Sequence, residues 1–165
     1  MNILSVTARK FRSLTTFSAF EIFMIPFVLL LLGLARLAIM GLAFRTYANR
    51  LGRQADMKGP TLDVSPAKTL RAKQIGRVVR RSAQVTPWES LCLGQAMVAA
   101  LLLKCFKIQY RVAFGVASTN EDDTAPNPLM AHAWTQVGEV NITGGQDVSM
   151  YTPVMAFEHL IESKA

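Results

Sequence analysis

The segment Ser90–Phe106, SLCLGQAMVAALLLKCF, is apolar nearly all the way round when wound on a helix. A helix without a polar face is buried on several sides, so this one is expected at the centre of a domain. Its start is marked by Thr86, Pro87, Trp88 and Glu89, which read as a Thr-x-x-Glu capping box with proline at the first helical position. From Gln109 the period falls to two. Tyr110, Val112, Phe114 and Val116 alternate with Arg111, Ala113 and Gly115, as in a half-buried strand. After an acidic loop from Ser118 to Pro128, Ala131–Val137 and Val140–Thr143 read as two more strands, joined at Gly138 and Glu139 by a two-residue turn. A short helix from Val154 to Ser163 is expected to close the chain. A buried helix followed by antiparallel strands gives an α+β class, and 165 residues with 51% hydrophobic content suffice for one domain with a core.

The front half differs in character. Residues 1–83 carry 14 cations against 3 anions (+11), and residues 84–165 carry 4 against 8 (−4). A basic half could suit an anionic surface, but no motif for nucleic acid goes with the charge, and nucleic acid is not an expected partner. The apolar run Ile22–Ala35, preceded by Arg9, Lys10 and Arg12, raises the question of a membrane span. Glu21 and Arg36 bracket only 14 uncharged residues, whereas a span needs about 20, and Pro26 interrupts the run. Extension to Phe44 would hold Arg36 near mid-membrane at a cost of about 2.5–3.5 kcal/mol. A buried or interfacial helix from Phe27 to Phe44 is therefore expected, with membrane contact through residues 20–44 as the alternative. A turn-rich loop, Gly52–Pro66, leads into a helix with Ser65 as cap and Pro66 as its first residue. Leu70, Ile75, Val78 and Val79 form its apolar side. Lys68, Arg71, Lys73, Arg77, Arg80 and Arg81 form a solvated cationic face, or a docking surface for an acidic partner.

Only two cysteines occur, Cys92 and Cys105, 13 positions apart in one helix. At about 1.5 Å per residue they stand about 20 Å apart, too far to bridge. A secreted disulfide scaffold is excluded, and a reducing cytosol becomes the default compartment. Cys92 shares a helical stripe with Gln95, Ala96, Ala99 and Leu103, and His132 lies on the middle strand. Nucleophilic cysteine catalysis needs a thiolate, a neighbouring imidazole and a group that orients the imidazole. With Val137 paired to Val140, the register sets His132 opposite Gly145. Thr143 and Asp147 are then diagonal neighbours at about 7–8 Å, so Asp147 reaches the ring if the strand runs that far. Because Cys92 falls in the second turn of a helix begun at Pro87, help from the helix dipole is expected to be small. A lone buried cysteine is commonly an inert small hydrophobe, and Cys105 reads that way. Cys92, Cys105 and His132 lack metal-ligand spacing and His159 is remote, so neither metal nor cofactor is expected.

The set Trp88, Cys92, Leu93, Gln95 and Ala96 (W-x-x-x-C-L-x-Q-A), then Phe114, Gly115 and Val116, then Ala131-His132-Ala133-Trp134, then Thr143-Gly144-Gly145 with Tyr151, resembles the lasso-peptide leader peptidases. These are transglutaminase-like maturation proteases, and the resemblance covers about residues 65–160. It implies a papain-like, transglutaminase-core fold in which the central cysteine-bearing helix packs on a small antiparallel sheet. Residues 1–64 would be an N-terminal hydrophobic and basic helical region ahead of a peptidase core at 65–165.

The resemblance further implies a Cys-His-Asp thiol protease that removes the leader from a ribosomally made precursor, so that a partner macrocyclase can close a macrolactam. Cys92 would attack the scissile carbonyl, and His132 would take its proton and later protonate the leaving amine. Asp147 would fix the tautomer of His132. Trp88, Gln95 and Trp134 would line the substrate site, and the precursor's leader would be presented by a separate recognition protein. The sequence departs from the family at one point. The family's acid often lies about a dozen residues beyond the histidine, where this chain has Gly144; Asp147, Thr143 or Asn141 must then orient the ring. Two other classes stay open: a membrane-associated helical adaptor without catalysis, and an acyltransferase or amidase on the same fold.

Overall fold

The computed structural model describes residues 18–56, 62–118, 129–145 and 147–161. Its first helix, α1 (Ala19–Gly41), starts eight residues earlier than expected and runs through Pro26. A capping box starts it. Ser18 Oγ accepts from Glu21 N at 3.3 Å, and the Glu21 carboxylate accepts from Ser18 N at 2.7 Å. Glu21, Met24, Val28, Leu32 and Ala35 form the buried side of α1, which packs on α3 (Pro66–Ala83) and α4 (Cys92–Cys105). Between them lie the short α2 (Phe44–Ala48) and β1 (Arg53–Ala55).

Glu21 bounds the apolar run in the sequence, and in the fold it becomes an anchor. It is fully buried and accepts from Arg77 Nε of α3 at 2.7 Å. Burial works to raise its carboxyl pKa, but the Ser18 backbone N–H, the Arg77 guanidinium and the Ser18 hydroxyl outweigh it and hold the group below the usual carboxylate range. Helix α3 begins at Pro66 as expected, although the Ser65 side chain makes no capping bond. Its cationic face is not all solvated. Arg77 is committed to Glu21, and Arg80 Nη1 donates to the Ile142 carbonyl. Gly76 lets α3 approach that same carbonyl, where a Cβ would collide. Leu70, expected on the apolar side, is exposed.

Helix α4 is buried on several sides, as its composition requires: Gly94, Ala96, Val98, Ala99, Ala100, Leu102 and Leu103 are all enclosed. It contacts α1, α3 and the sheet. Its start departs from expectation. The first helical residue is Cys92, and Thr86 does not cap it. The Thr86 hydroxyl instead sits 2.9 Å from the carbonyls of Ala83 and Trp88 and from Ser90 Oγ, closing the turn that leaves α3. Trp88 is drawn away to lie over Gly33 of α1, where an added Cβ would stand 3.6 Å from the indole. That tertiary contact keeps residues 86–91 out of the helix.

The strands are β2 (Tyr110–Ser118), β3 (Leu129–Val137), β4 (Val140–Thr143) and β5 (Thr152–His159). With β1 they form one antiparallel sheet in the order β1-β5-β2-β3-β4. Residues 152–159 are therefore a strand, where a helix was expected. Pairing on both sides decides it: Ala156 and Phe157 face partners on β1 and on β2, and both side chains are buried. The acidic loop at 119–128 lies outside the described residues.

Candidate active site

Cys92 is half-buried at the first position of α4, against the main core. Its place in the second turn, expected from Thr86, gives way to a place at the positive end of the helix macrodipole, where negative charge is stabilised. One turn further along, the Ala96 carbonyl accepts from Thr135 Oγ1 of β3 at 3.4 Å. Thr135 thus faces α4. Alternation along β3 sends Ala133 and Thr135 to the helix side and His132 and Trp134 to the other face. Helix rise puts Cys92 about 6 Å from the Ala96 level, and strand rise puts His132 about 10 Å from the Thr135 level. The thiol and the imidazole therefore flank one helix–strand contact from opposite faces of β3, and no hydrogen bond joins them among the described residues.

The β3–β4 hairpin begins as expected, with Val137 opposite Val140 across Gly138 at φ 56°. The register then slips, so that Thr135 faces Thr143 and β4 ends there. His132 does not pair with Gly145. It lies opposite Gly115 of β2, and the chain beyond Thr143 turns over β3 through Gly144 and Gly145, at φ 83° and 96°. A Cβ on Gly144 would stand 2.9 Å from both the Ala133 carbonyl oxygen and Trp134 Cα. Only glycine allows this approach.

Its consequence is a hydrogen bond that sequence reasoning missed. His132 Nε2 lies 2.7 Å from the Gly144 carbonyl oxygen. A carbonyl only accepts, so Nε2 carries the proton, and in the neutral ring Nδ1 is the free base. Tyr151 stacks on the imidazole at 4.6 Å and 23°, and Trp134 lies beyond at 6.1 Å and 21°. The ring is thus held in a plane by aromatics and in azimuth by one backbone carbonyl.

The other expected residues are placed as follows. Asp147 is exposed, and its Oδ1 accepts from Ser149 N in its own turn at 2.9 Å. Those bonds from Ser149 hold its carboxyl below the usual range. Thr143 is fully buried, and its Oγ1 accepts from Thr135 N at 3.2 Å. Gln95 folds back onto the Ser90 carbonyl at 2.9 Å, Trp88 packs on α1, and Trp134 is buried. Cys105 is an exposed free thiol. No cluster of three metal-ligating side chains occurs among the described residues.

Comparison with known proteins places the chain at the level of a superfamily. A family model described as the Transglutaminase-like superfamily matches residues 34–156, three quarters of the chain, from within α1 to within β5. No curated protein matches the chain, and no solved structure does.

Proposed function

Since this chain belongs to the transglutaminase-like superfamily, whose members are typically cysteine-dependent enzymes of protease or acyltransferase type, we propose that it is a cysteine peptidase removing the leader from a ribosomally made lasso-peptide precursor. The observation that carries this reading is the held imidazole: Nε2 tied to the Gly144 carbonyl, Nδ1 left as base, and a free thiol at the start of the helix packed on the other face of the same strand.

In the reaction, Nδ1 of His132 takes the thiol proton and Cys92 Sγ attacks the scissile carbonyl, forming a tetrahedral oxyanion. The intermediate collapses as the imidazolium protonates the leaving amine, which is the amino terminus of the core peptide. Water then hydrolyses the thioester with His132 again as base. The Gly144 carbonyl does the tautomer-fixing work expected of Asp147. Being neutral, it stabilises the imidazolium less than a carboxylate would. For the proton to pass, the ring must reach the Cys92 side of β3, past the edge that β4 leaves unpaired beyond Thr135. Leader presentation falls to a separate recognition protein, and the freed amine passes to a macrocyclase.

The test uses a Cys105→Ser background, which removes the exposed second thiol. Iodoacetamide should alkylate Cys92 faster than free cysteine at neutral pH, and His132→Ala should slow it about tenfold or more. Equal rates in the two proteins would mean that ring and sulfur never meet. Purified Cys92→Ala should leave precursor peptide intact in the presence of the recognition protein, and normal cleavage by it would end the peptidase reading.

A further inference from the structure

Helix α1 is long and apolar enough to cross a membrane by length and composition, yet its two sides have different fates. Glu21, Met24, Val28, Leu32 and Ala35 are locked into the core. On the far side Phe23, Phe27, Leu30, Leu34 and Leu37, spaced four, three, four and three, are all exposed, Phe23 at 81% and Leu37 at 67%. At helical rise they make an apolar strip about 21 Å long. Such a strip is far beyond the scattered apolar residues of an ordinary surface. It is continuous through Leu34 with a groove of about 270 Å³ between α1 and α4, lined also by Leu31, Ala38, Arg50, Met97 and Leu101.

Charge indicates what covers the strip. Arg45, Arg50 and Arg53, all exposed, follow the end of α1, in a half-chain carrying +11. The one cation inside the apolar stretch, Arg36, is turned to the protein, where Nη1 donates to the Glu89 carbonyl at 3.5 Å. We propose that this outward face of α1 is a seat for an anionic lipid surface, on which the protein lies without spanning it. An apolar helix side at acyl depth, followed in the chain by exposed arginines, is the composition of interfacial helices. Spanning would require α1 to leave the core and strand the Glu21–Arg77 pair. The proposal is independent of Cys92 chemistry.

The experiment is vesicle co-sedimentation of the full chain. Phosphatidylcholine vesicles containing phosphatidylglycerol should bind it, pure phosphatidylcholine should bind it much more weakly, and added salt should release it from the anionic vesicles. Leu30→Glu/Leu37→Glu, both at exposed sites, should keep the melting temperature and weaken binding about a hundredfold. Arg45→Gln/Arg53→Gln should weaken it about tenfold. Absence of vesicle binding would overturn the proposal. So would salt-resistant retention, as of a spanning helix, or a soluble dimer or stable complex with another protein that dissociates on Leu30→Glu/Leu37→Glu.

Discussion

Replacing Gly144 by alanine tests the site at its most constrained point. The residue sits at φ 83°, where an L side chain costs about 1–2 kcal/mol. The new Cβ would also stand 2.9 Å from the Ala133 carbonyl oxygen and from Trp134 Cα. Both are backbone atoms in a buried strand, so the loop must move instead, at about 1–3 kcal/mol more. The sum, roughly 2–5 kcal/mol, lowers the melting temperature of a domain this size by about 5–15 °C and leaves it folded at 25 °C. Activity falls further, because the loop that retreats carries the acceptor for His132 Nε2. With ring and tautomer unfixed, general base catalysis loses about 10²-fold. The assay pairs thermal unfolding with precursor cleavage at a temperature where both proteins are folded. Cleavage by Gly144→Ala at the wild-type rate, with the stability loss present, would refute the assignment of the carbonyl to orienting the imidazole.

Asp147→Asn should change turnover less than Gly144→Ala, because its carboxylate is spent on Ser149; a larger loss in kcat would return the orienting role to Asp147. Tyr110 is fully enclosed, and its hydroxyl has no partner among the described residues, so Tyr110→Phe should gain about 1 kcal/mol in urea unfolding. Burial pushes the Tyr110 phenol from 10.0 up to about 12. A group raised in the folded state favours folding below its unfolded value and loses that contribution as pH rises through the folded one. Wild type should therefore lose stability between pH 10.0 and about 12, and Tyr110→Phe should lose less. Glu21→Ala removes the capping box and leaves Arg77, which is part-exposed and can rehydrate. The expected loss is about 1–3 kcal/mol, read by urea unfolding at neutral pH. Because the Glu21 carboxyl is held low, its contribution is present above the unfolded carboxylate value and fades as acid protonates it. The gap between the two proteins should close at low pH.

The parts of the fold legible in the sequence are those set by local periodicity. The all-round apolarity of residues 92–105, the alternation from Tyr110 and the Gly138 turn each dictate one element, and each is found. Elements decided by distant partners were not legible. Residues 152–159 become a strand because a slot between β1 and β2 is open to them. Residues 86–91 stay out of α4 because Trp88 has a better place on Gly33. At the site, Cys92 and His132 stand out by residue type, but the group on the imidazole is a backbone atom and leaves no side-chain signature. The paired glycines at 144 and 145 were the only hint, since such a pair marks a chain that must bend where side chains do not fit.

The burial of Glu21 has a consequence for anyone trimming this protein. A version begun at Ser65 would keep the cysteine and the histidine but would cut into the stretch that matches the superfamily, residues 34–156. It would also bare the faces of α3 and α4 that Val28 and Leu32 cover, and it would leave Arg77 without its counter-charge. It would lack the β1 partner of β5 as well. Such a fragment is expected to aggregate, so the leucine-rich opening of the chain is a structural wall of the domain and should travel with it into any fusion.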